Sequence, residues 1–366
     1  MIRRSARRRN EPSPDFVDLS SFVVNTEEDG RLSRTGIFQS SEAQLKQIVR
    51  SILAYFRSTP GPNRLLFYCH GALVTENEAG ELTRTHHKMF LANGIYPVFF
   101  IWQSSLQEII GEHLTLMKNN RLELISDGEP LIDEILEEVA RLFPEPWEMM
   151  KRRAEKVFAD GGGWRFFTLL TQALRKMNVQ AELHLVGHSA GSIVLASFLK
   201  QLLEKKINLY LHLKIGTCSL YAPACTVKLF EESYARAIER HLLRRFFLYT
   251  LSDELEREDP TVPYYRKSIL YLVSSGFEAQ SGDCPILGMQ KHAKTSTVLQ
   301  NLLSAGKAVW ILAEKNPQTQ RFPYGGKHIE LVSHAVNHSS FTRDPATLNS
   351  TLRIILRSNQ VPAEFS

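Results

Sequence analysis

The sequence predicts an α/β fold: a mostly parallel central sheet covered by helices on both faces, with helical insertions. Three observations carry this. Short apolar runs without polar alternation, at 65–69, 96–102, 183–186 and 213–221, read as strands buried on both faces, as central parallel strands are. Segments with helical apolar spacing separate them, the βα rhythm of a doubly covered parallel sheet. At Gly187-His188-Ser189-Ala190-Gly191, one such strand turns directly into one such helix.

Taken in order, residues 1–15 read as a basic tail. Phe22-Val23-Val24 and Gly36-Ile37-Phe38 flank an acidic turn with a glycine and suggest an N-terminal hairpin. Residues 41–56 repeat Leu45, Ile48, Val49, Ile52, Leu53 and Phe56 at helical spacing, with Ser41 as the expected cap and Pro60-Gly61-Pro62 as the stop. The strand 65–69 follows, then a helix near 86–93 and the strand 96–102. Residues 104–164 interrupt the rhythm. Leu131, Ile132, Ile135, Leu136, Val139, Leu142 and Phe143 form an amphipathic helix there, ended by Pro144 and Pro146, and Gly161-Gly162-Gly163 reads as a hinge. This segment is expected to be a helical cap whose inner apolar face covers a pocket. A helix over 166–177 precedes the strand that enters the Gly-x-Ser-x-Gly turn. Ile193, Val194, Leu195, Phe198, Leu199 and Leu202 line the apolar face of the helix leaving it. Next come a strand at 213–221, a helix near 229–243 and a strand at 245–251. A second insertion at 255–325 carries helical patches at 269–273 and 298–303. A last strand, 328–336, and a last helix, 345–356, close the chain, the helix capped by Asp344 with Pro345 at its first position. Residues 16–366 thus read as a single domain with two insertions.

At 366 residues, with 43% hydrophobic and 23% charged residues, the composition is that of an ordinary globular protein. The net charge of +5 is carried by Arg3, Arg4, Arg7, Arg8 and Arg9; without these five, 39 basic residues balance 39 acidic ones. The neutral body argues against a specific nucleic-acid partner, and the tail reads as a solvated terminus, with contact to an anionic surface as the lesser alternative. No apolar stretch approaches the roughly 18–20 residues of a membrane span. No apolar run follows the N-terminal arginines, so a secretory signal is not expected. Cys69, Cys218, Cys225 and Cys284 lack metal-ligand spacing and read as thiols of a reducing compartment, with the cytoplasm as the default.

The turn at 187–191 carries the chemistry. A strand–turn–helix of this kind holds its serine in a strained backbone conformation and demands small residues at Gly187 and Gly191. The helix that follows points free N–H groups at charge developing beside Ser189. A serine hydroxyl is a weak nucleophile, so it needs a base, and the base an orienting acid. Strand order places both at C-terminal strand ends. Asp253, at the end of the strand 245–251, is the expected acid, with Glu254 and Glu256 as rivals. His338, in the polar loop before the last helix, is the expected base. His334 falls inside the last predicted strand and reads as a packing histidine. The two oxyanion donors expected are the backbone N–H of Ala190 and that of Ala72, in the loop Cys69-His70-Gly71-Ala72, where Gly71 admits close approach and His70 holds the loop.

These residues resemble the α/β-hydrolase superfamily. The match rests on His-Gly-x at 70–72, Gly-x-Ser-x-Gly at 187–191, Asp253, His338 and the order Ser…Asp…His, over about residues 64–357 without the insertions. The chain is similar to bacterial members with a Tyr-Pro-x-Phe-Phe-x-Trp strand, here 96–102, and a His-x-x-Phe-x-x-Asp-Pro histidine context, here 338–345. Ala72 stands where lipases with a longer glycine run have Gly, which argues against that subgroup. The resemblance implies a serine hydrolase of the carboxylic-ester (esterase or lipase) kind, acting through an acyl-enzyme on a small acyl ester or lipid, without metal or organic cofactor. A peptidase or acyltransferase on the same triad, and a non-catalytic binding module on the same fold, are the alternatives.

Overall fold

A computed structural model describes residues 18–104, 130–205, 212–279, 282–324 and 326–366. The basic tail lies outside these residues, as does the first part of the expected cap. Seven strands form one sheet in the order β1-β3-β2-β4-β5-β6-β7, every neighbouring pair parallel. They are β1 (Val23–Thr26), β2 (Arg64–Cys69), β3 (Ile95–Trp102), β4 (Ala181–His188), β5 (Leu213–Tyr221), β6 (Leu243–Leu251) and β7 (Ala308–Ala313). The connecting helices include α1 (Glu42–Ser58), α2 (Glu76–Ala92), α3 (Pro130–Leu142), α4 (Glu145–Ala159), α5 (Gly162–Lys176) and α6 (Gly191–Glu204). After β6 come the short α7 (Asp253–Arg257), α8 (Thr297–Ser304) and the last helix α9 (Pro345–Leu356). This is an α/β architecture with helical insertions, compatible with the α/β-hydrolase fold.

Alternation along β2 shows how both faces are filled. Phe67 meets Phe100, Phe166 and Phe198, the last two on α5 and α6. Tyr68 points the other way, to His86 on α2. Tyr221 of β5 bonds Thr351 of α9 at 2.6 Å on a sheet face that also takes Phe341. Local signals explain the ends: Ser41 caps α1 as expected, and Asp344 accepts from Ala346 and Thr347 at the start of α9. Helix α2 begins ten residues earlier than its apolar spacing suggests. Thr75 and Glu78 form a capping box there, a signal the sequence does contain.

Four expected elements differ. Residues 22–24 and 36–38 do not pair as a hairpin: the chain reverses sooner, with Thr26 bridging Leu32, β1 pairs in parallel with β3 at the sheet edge, and the Glu76 carboxylate takes the amides of Ile37 and Phe38. The triglycine is not a hinge but the cap and first turn of α5. A Cβ on Gly163 would lie 2.8 Å from the Val157 carbonyl oxygen, so close packing requires the small residue. The strand expected over 328–336 ends at Leu331. It is β9 (Lys327–Leu331), paired antiparallel with β8 (Gln320–Tyr324) outside the main sheet. Its alternation, Ile329 and Leu331 buried against exposed His328, is that of a half-solvated hairpin. The seventh strand of the sheet is instead β7, inside the stretch read as the second insertion.

The expected cap divides in two. Helix α4 packs along α6 and carries Trp147, Met150, Ala154, Val157 and Phe158 into the main core, with Phe158 4.9 Å from Phe100 and 4.8 Å from Phe198. That half covers the sheet. Helix α3 leans on the second insertion instead: Glu137 bonds Tyr265 at 2.7 Å and Lys267 at 2.8 Å, and Asp133 accepts from the Arg266 amide at 3.0 Å. The side chains of Leu131 and Ile132 lie outside the described residues. No helix among the described residues is long and apolar enough to cross a membrane.

Candidate active site

Ser189 sits between β4 and α6 with φ +51°, one of the few non-glycine residues in the left-handed region. That conformation is costly for a serine and persists only where its surroundings over-determine it. They do so here. The Ser189 amide donates to the Tyr221 carbonyl at 2.9 Å, tying the turn to the end of β5. Its own carbonyl accepts from Ala224 N at 3.1 Å and from the Ser192 hydroxyl at 2.6 Å. The Ser192 hydroxyl in turn accepts from Cys225 N at 3.1 Å. The glycines follow from the same tightness. A Cβ on Gly191 would overlap the Cys69 carbonyl oxygen, with the Cys69 carbonyl carbon at 2.7 Å and the His70 oxygen at 2.9 Å. One on Gly187 would lie 2.9 Å from Leu195 and 3.0 Å from Leu220.

The loop after β2 lies against this turn. A Cβ on Gly71 would stand 3.0 Å from Ser189 Cβ and 3.1 Å from His188 Nδ1. His70 pins the loop to β3: its Nε2 accepts from Trp102 N at 3.3 Å, so Nδ1 carries the hydrogen and donates to the Gly71 carbonyl at 2.8 Å. Its ring stacks on Trp102, and burial lowers its pKa to about 4, which keeps it neutral. The Ala72 carbonyl is held by the Ser104 hydroxyl. Among the described residues, no hydrogen bond engages the amides of Ala72 or Ala190. A cavity of about 350 Å³ adjoins this loop, lined among others by Ala72, Val74, Glu76, Trp102 and Ser104. A second, of about 210 Å³, opens at the other end of the strands, beside Lys214, Arg244 and Lys307.

The two histidines part company. His334 is exposed, beyond the end of β9, and its amide donates to Asp344 at 2.8 Å. His338 is 2% exposed, and its ring lies on that of His188 with centroids 5.0 Å apart. Neither of its ring nitrogens has a hydrogen-bond partner among the described residues. Burial drives its pKa down to about 3, so the ring is a neutral acceptor across the physiological range.

The carboxylates are distributed differently from the expectation. Asp253 opens α7 and bonds Tyr271 Oη at 2.5 Å and Arg257 Nε at 2.9 Å. Burial tends to raise its pKa, and these two bonds outweigh that and hold it below the usual carboxylate range. None of its hydrogen bonds reaches His338. The carboxylate that does is Asp259, fully buried, whose Oδ2 accepts from the His338 amide at 2.6 Å while Oδ1 holds Thr261. Glu256, between them, is buried with both oxygens unpartnered among the described residues; burial, then the neighbouring Asp253 and Asp259, push its pKa far up. Glu254 lies on the outside, paired with Lys315 at 3.0 Å. Sequence reasoning missed His188, Asp259, Ser192 and Ser104, none of which stands in a pattern that marks it. Among the described residues, no group of three His, Cys, Asp or Glu side chains is arranged to hold a metal ion. No family model, curated protein or solved structure matches the chain.

Proposed function

We propose that the protein is a serine hydrolase acting on carboxylic esters through an acyl-enzyme. The observation that carries this is the strained Ser189, fixed between β4 and α6, whose neighbour His188 packs against the buried, neutral His338, with the amides of Ala190 and Ala72 unengaged among the described residues. A residue pays for a left-handed backbone when the geometry is needed, and here it lifts a hydroxyl to the C-terminal rim of the sheet. In this reading His338 takes the Ser189 proton as the hydroxyl attacks the acyl carbon, then returns it to the leaving group. The amides of Ala190 and Ala72 hold the oxyanion, and the free N-terminal end of α6 adds to the same field. The cavity beside Ala72 adjoins the loop that would supply one of these amides.

The orienting acid comes from the segment after β6. Asp253 has the strand-end position; Asp259 bonds the backbone amide of His338, whose ring neither carboxylate engages. Asp253→Asn and Asp259→Asn separate them, since the acid's variant loses acylation rate by about three orders of magnitude or more while the other keeps it. The hydrolase reading itself is tested with a fluorophosphonate probe and p-nitrophenyl esters of graded chain length. Labelling and turnover are expected in the native chain and absent in Ser189→Ala. A native chain that folds but neither labels nor turns over would instead be a binding module on this fold.

A further inference from the structure

His338 belongs to no regular element, and between Leu331 and Ser340 no strand or helix fixes the backbone. A general base must nevertheless stand within a few tenths of an ångström of its place to work. The structure holds its peptide groups from two sides. Its amide donates to Asp259 Oδ2 at 2.6 Å, and its carbonyl accepts from His188 Nε2 at 2.9 Å. A carbonyl is only an acceptor, so His188 carries its hydrogen on Nε2. His188 is the last residue of β4, adjacent in sequence to Ser189, and as rigid as the sheet. Its other nitrogen, Nδ1, is buried without a partner among the described residues, where Gly71 packs closely. Burial, with His338 close by, lowers its pKa to about 3, so the donor form persists at neutral pH.

We propose that His188 is a positioning residue: its Nε2–H anchors the His338 carbonyl to the residue preceding the nucleophile, while Asp259 anchors the His338 amide. With both peptide groups fixed, the His338 Cα is fixed, and only two side-chain torsions remain to carry the ring to Ser189. The role rests on the serine-hydrolase reading. It also explains a choice that the Gly-x-Ser-x-Gly pattern leaves open, since its second position accepts many residues.

The test compares variants that keep or lose the donor at the Nε2 position. In His188→Gln the side-chain amide nitrogen reaches about as far as Nε2, whereas in His188→Asn it stops near the position of Nδ1. Acylation is read as the labelling rate with a fluorophosphonate and as kcat and KM on p-nitrophenyl acetate, each per folded molecule. His188→Asn is expected to lose about ten- to hundredfold in labelling rate and kcat, the penalty of a base displaced by a fraction of an ångström to 1 Å, with KM within threefold. His188→Gln is expected to recover the rate to within threefold of the native chain. Asp259→Ala, which removes the other anchor, is expected to lose at least as much as His188→Asn. Native rates in His188→Asn, or equal losses in the Asn and Gln variants, overturn the anchor while leaving the hydrolase reading in place. If the native chain does not label, or Ser189→Ala labels equally, the hydrolase reading falls and the anchor with it. Should His188→Asn not fold, His188→Gln decides alone: a tenfold loss at native unfolding temperature refutes the role.

Discussion

Gly71 and Gly191 both lie where the β2 loop meets the Ser189 turn, yet alanine at each should fail differently. At Gly71 the added Cβ meets Ser189 Cβ at 3.0 Å, which moves only with its backbone, and His188 Nδ1 at 3.1 Å, a ring atom able to give by a few tenths of an ångström. Overpacking of this kind costs about 1–3 kcal/mol. Gly71 is not in the left-handed region, so alanine also narrows the unfolded ensemble and returns about 0.4–1 kcal/mol. The net loss of stability is about 0–2.5 kcal/mol, within reach of a folded protein. The atoms that must yield, however, belong to Ser189 and to His188, whose Nε2 bonds the His338 carbonyl. Labelling by a fluorophosphonate should therefore drop about tenfold or more in the folded fraction. At Gly191 the Cβ meets backbone: it overlaps the Cys69 carbonyl oxygen, with the Cys69 carbonyl carbon at 2.7 Å and the His70 oxygen at 2.9 Å. No rotamer change relieves that clash, and helix α6 would have to lift off β2. Its cost should exceed the usual 1–3 kcal/mol of an overpacked core, despite a gain of about 1 kcal/mol in helix propensity. Urea denaturation gives both stabilities, and probe labelling at matched folded concentration gives the site. Gly191→Ala with native stability would refute the close packing of the turn. Gly71→Ala with native labelling would refute the contact of this loop with the site.

Other expectations follow from the same geometry. His338→Ala should fold and lose at least about a thousandfold in turnover, whereas exposed His334→Ala should change stability by less than about 0.5 kcal/mol and keep its activity; the reverse result in ester hydrolysis would move the base to His334. Phe158→Ala should cost about 3–5 kcal/mol in urea denaturation, because α4 is part of the main core; a change in ester chain-length preference at native stability would make it a lid instead. Buried His70, His86, His188 and His338 have pKa values lowered to about 4, 4, 3 and 3, below the unfolded value near 6.5. Their unfolded forms bind protons that the folded forms do not, so their contribution is intact above pH about 6.5 and lost as pH falls toward 4, at up to about 1.4 kcal/mol per pH unit for each. Urea midpoints at pH 7.5, 6 and 5 should fall accordingly, and a flat series would contradict the burial of these rings.

What the sequence made legible was what short-range chemistry decides. Doubly buried strands write themselves as apolar runs, and β2 through β6 follow from that. Caps at Ser41 and Asp344 are a few residues of local hydrogen bonding, and both stand where the pattern puts them. The turn at Ser189 is legible for the same reason, since its glycines answer to contacts that every such turn makes. Where a partner distant in the chain decides, the pattern misleads. Residues 22–24 and 36–38 carry the alternation of a hairpin, but Glu76 takes the amides of the second strand. Residues 328–336 look like a sheet strand, but β7 lies 20 residues upstream of them and holds that edge. The triglycine looks like a hinge because nothing in the sequence shows the Val157 carbonyl that a Cβ on Gly163 would meet at 2.8 Å.

The same division runs through the candidate site. The Ser189 turn is announced by its own glycines, whereas a candidate base or acid is defined only by what it touches across the fold. Asp253 occupies the position that strand order favours, yet Tyr271 and Arg257 take both its oxygens. Asp259, six residues on and without a mark in the sequence, reaches the His338 amide. If the orienting carboxylate follows contact rather than strand order, Asp253→Asn should loosen the helical segment that Tyr271 carries and leave acylation near native. Asp259→Asn should then depress acylation most. Labelling rates of the two variants, beside their urea midpoints, give the answer: a silent Asp259→Asn with an inactive Asp253→Asn would return the role to the strand end.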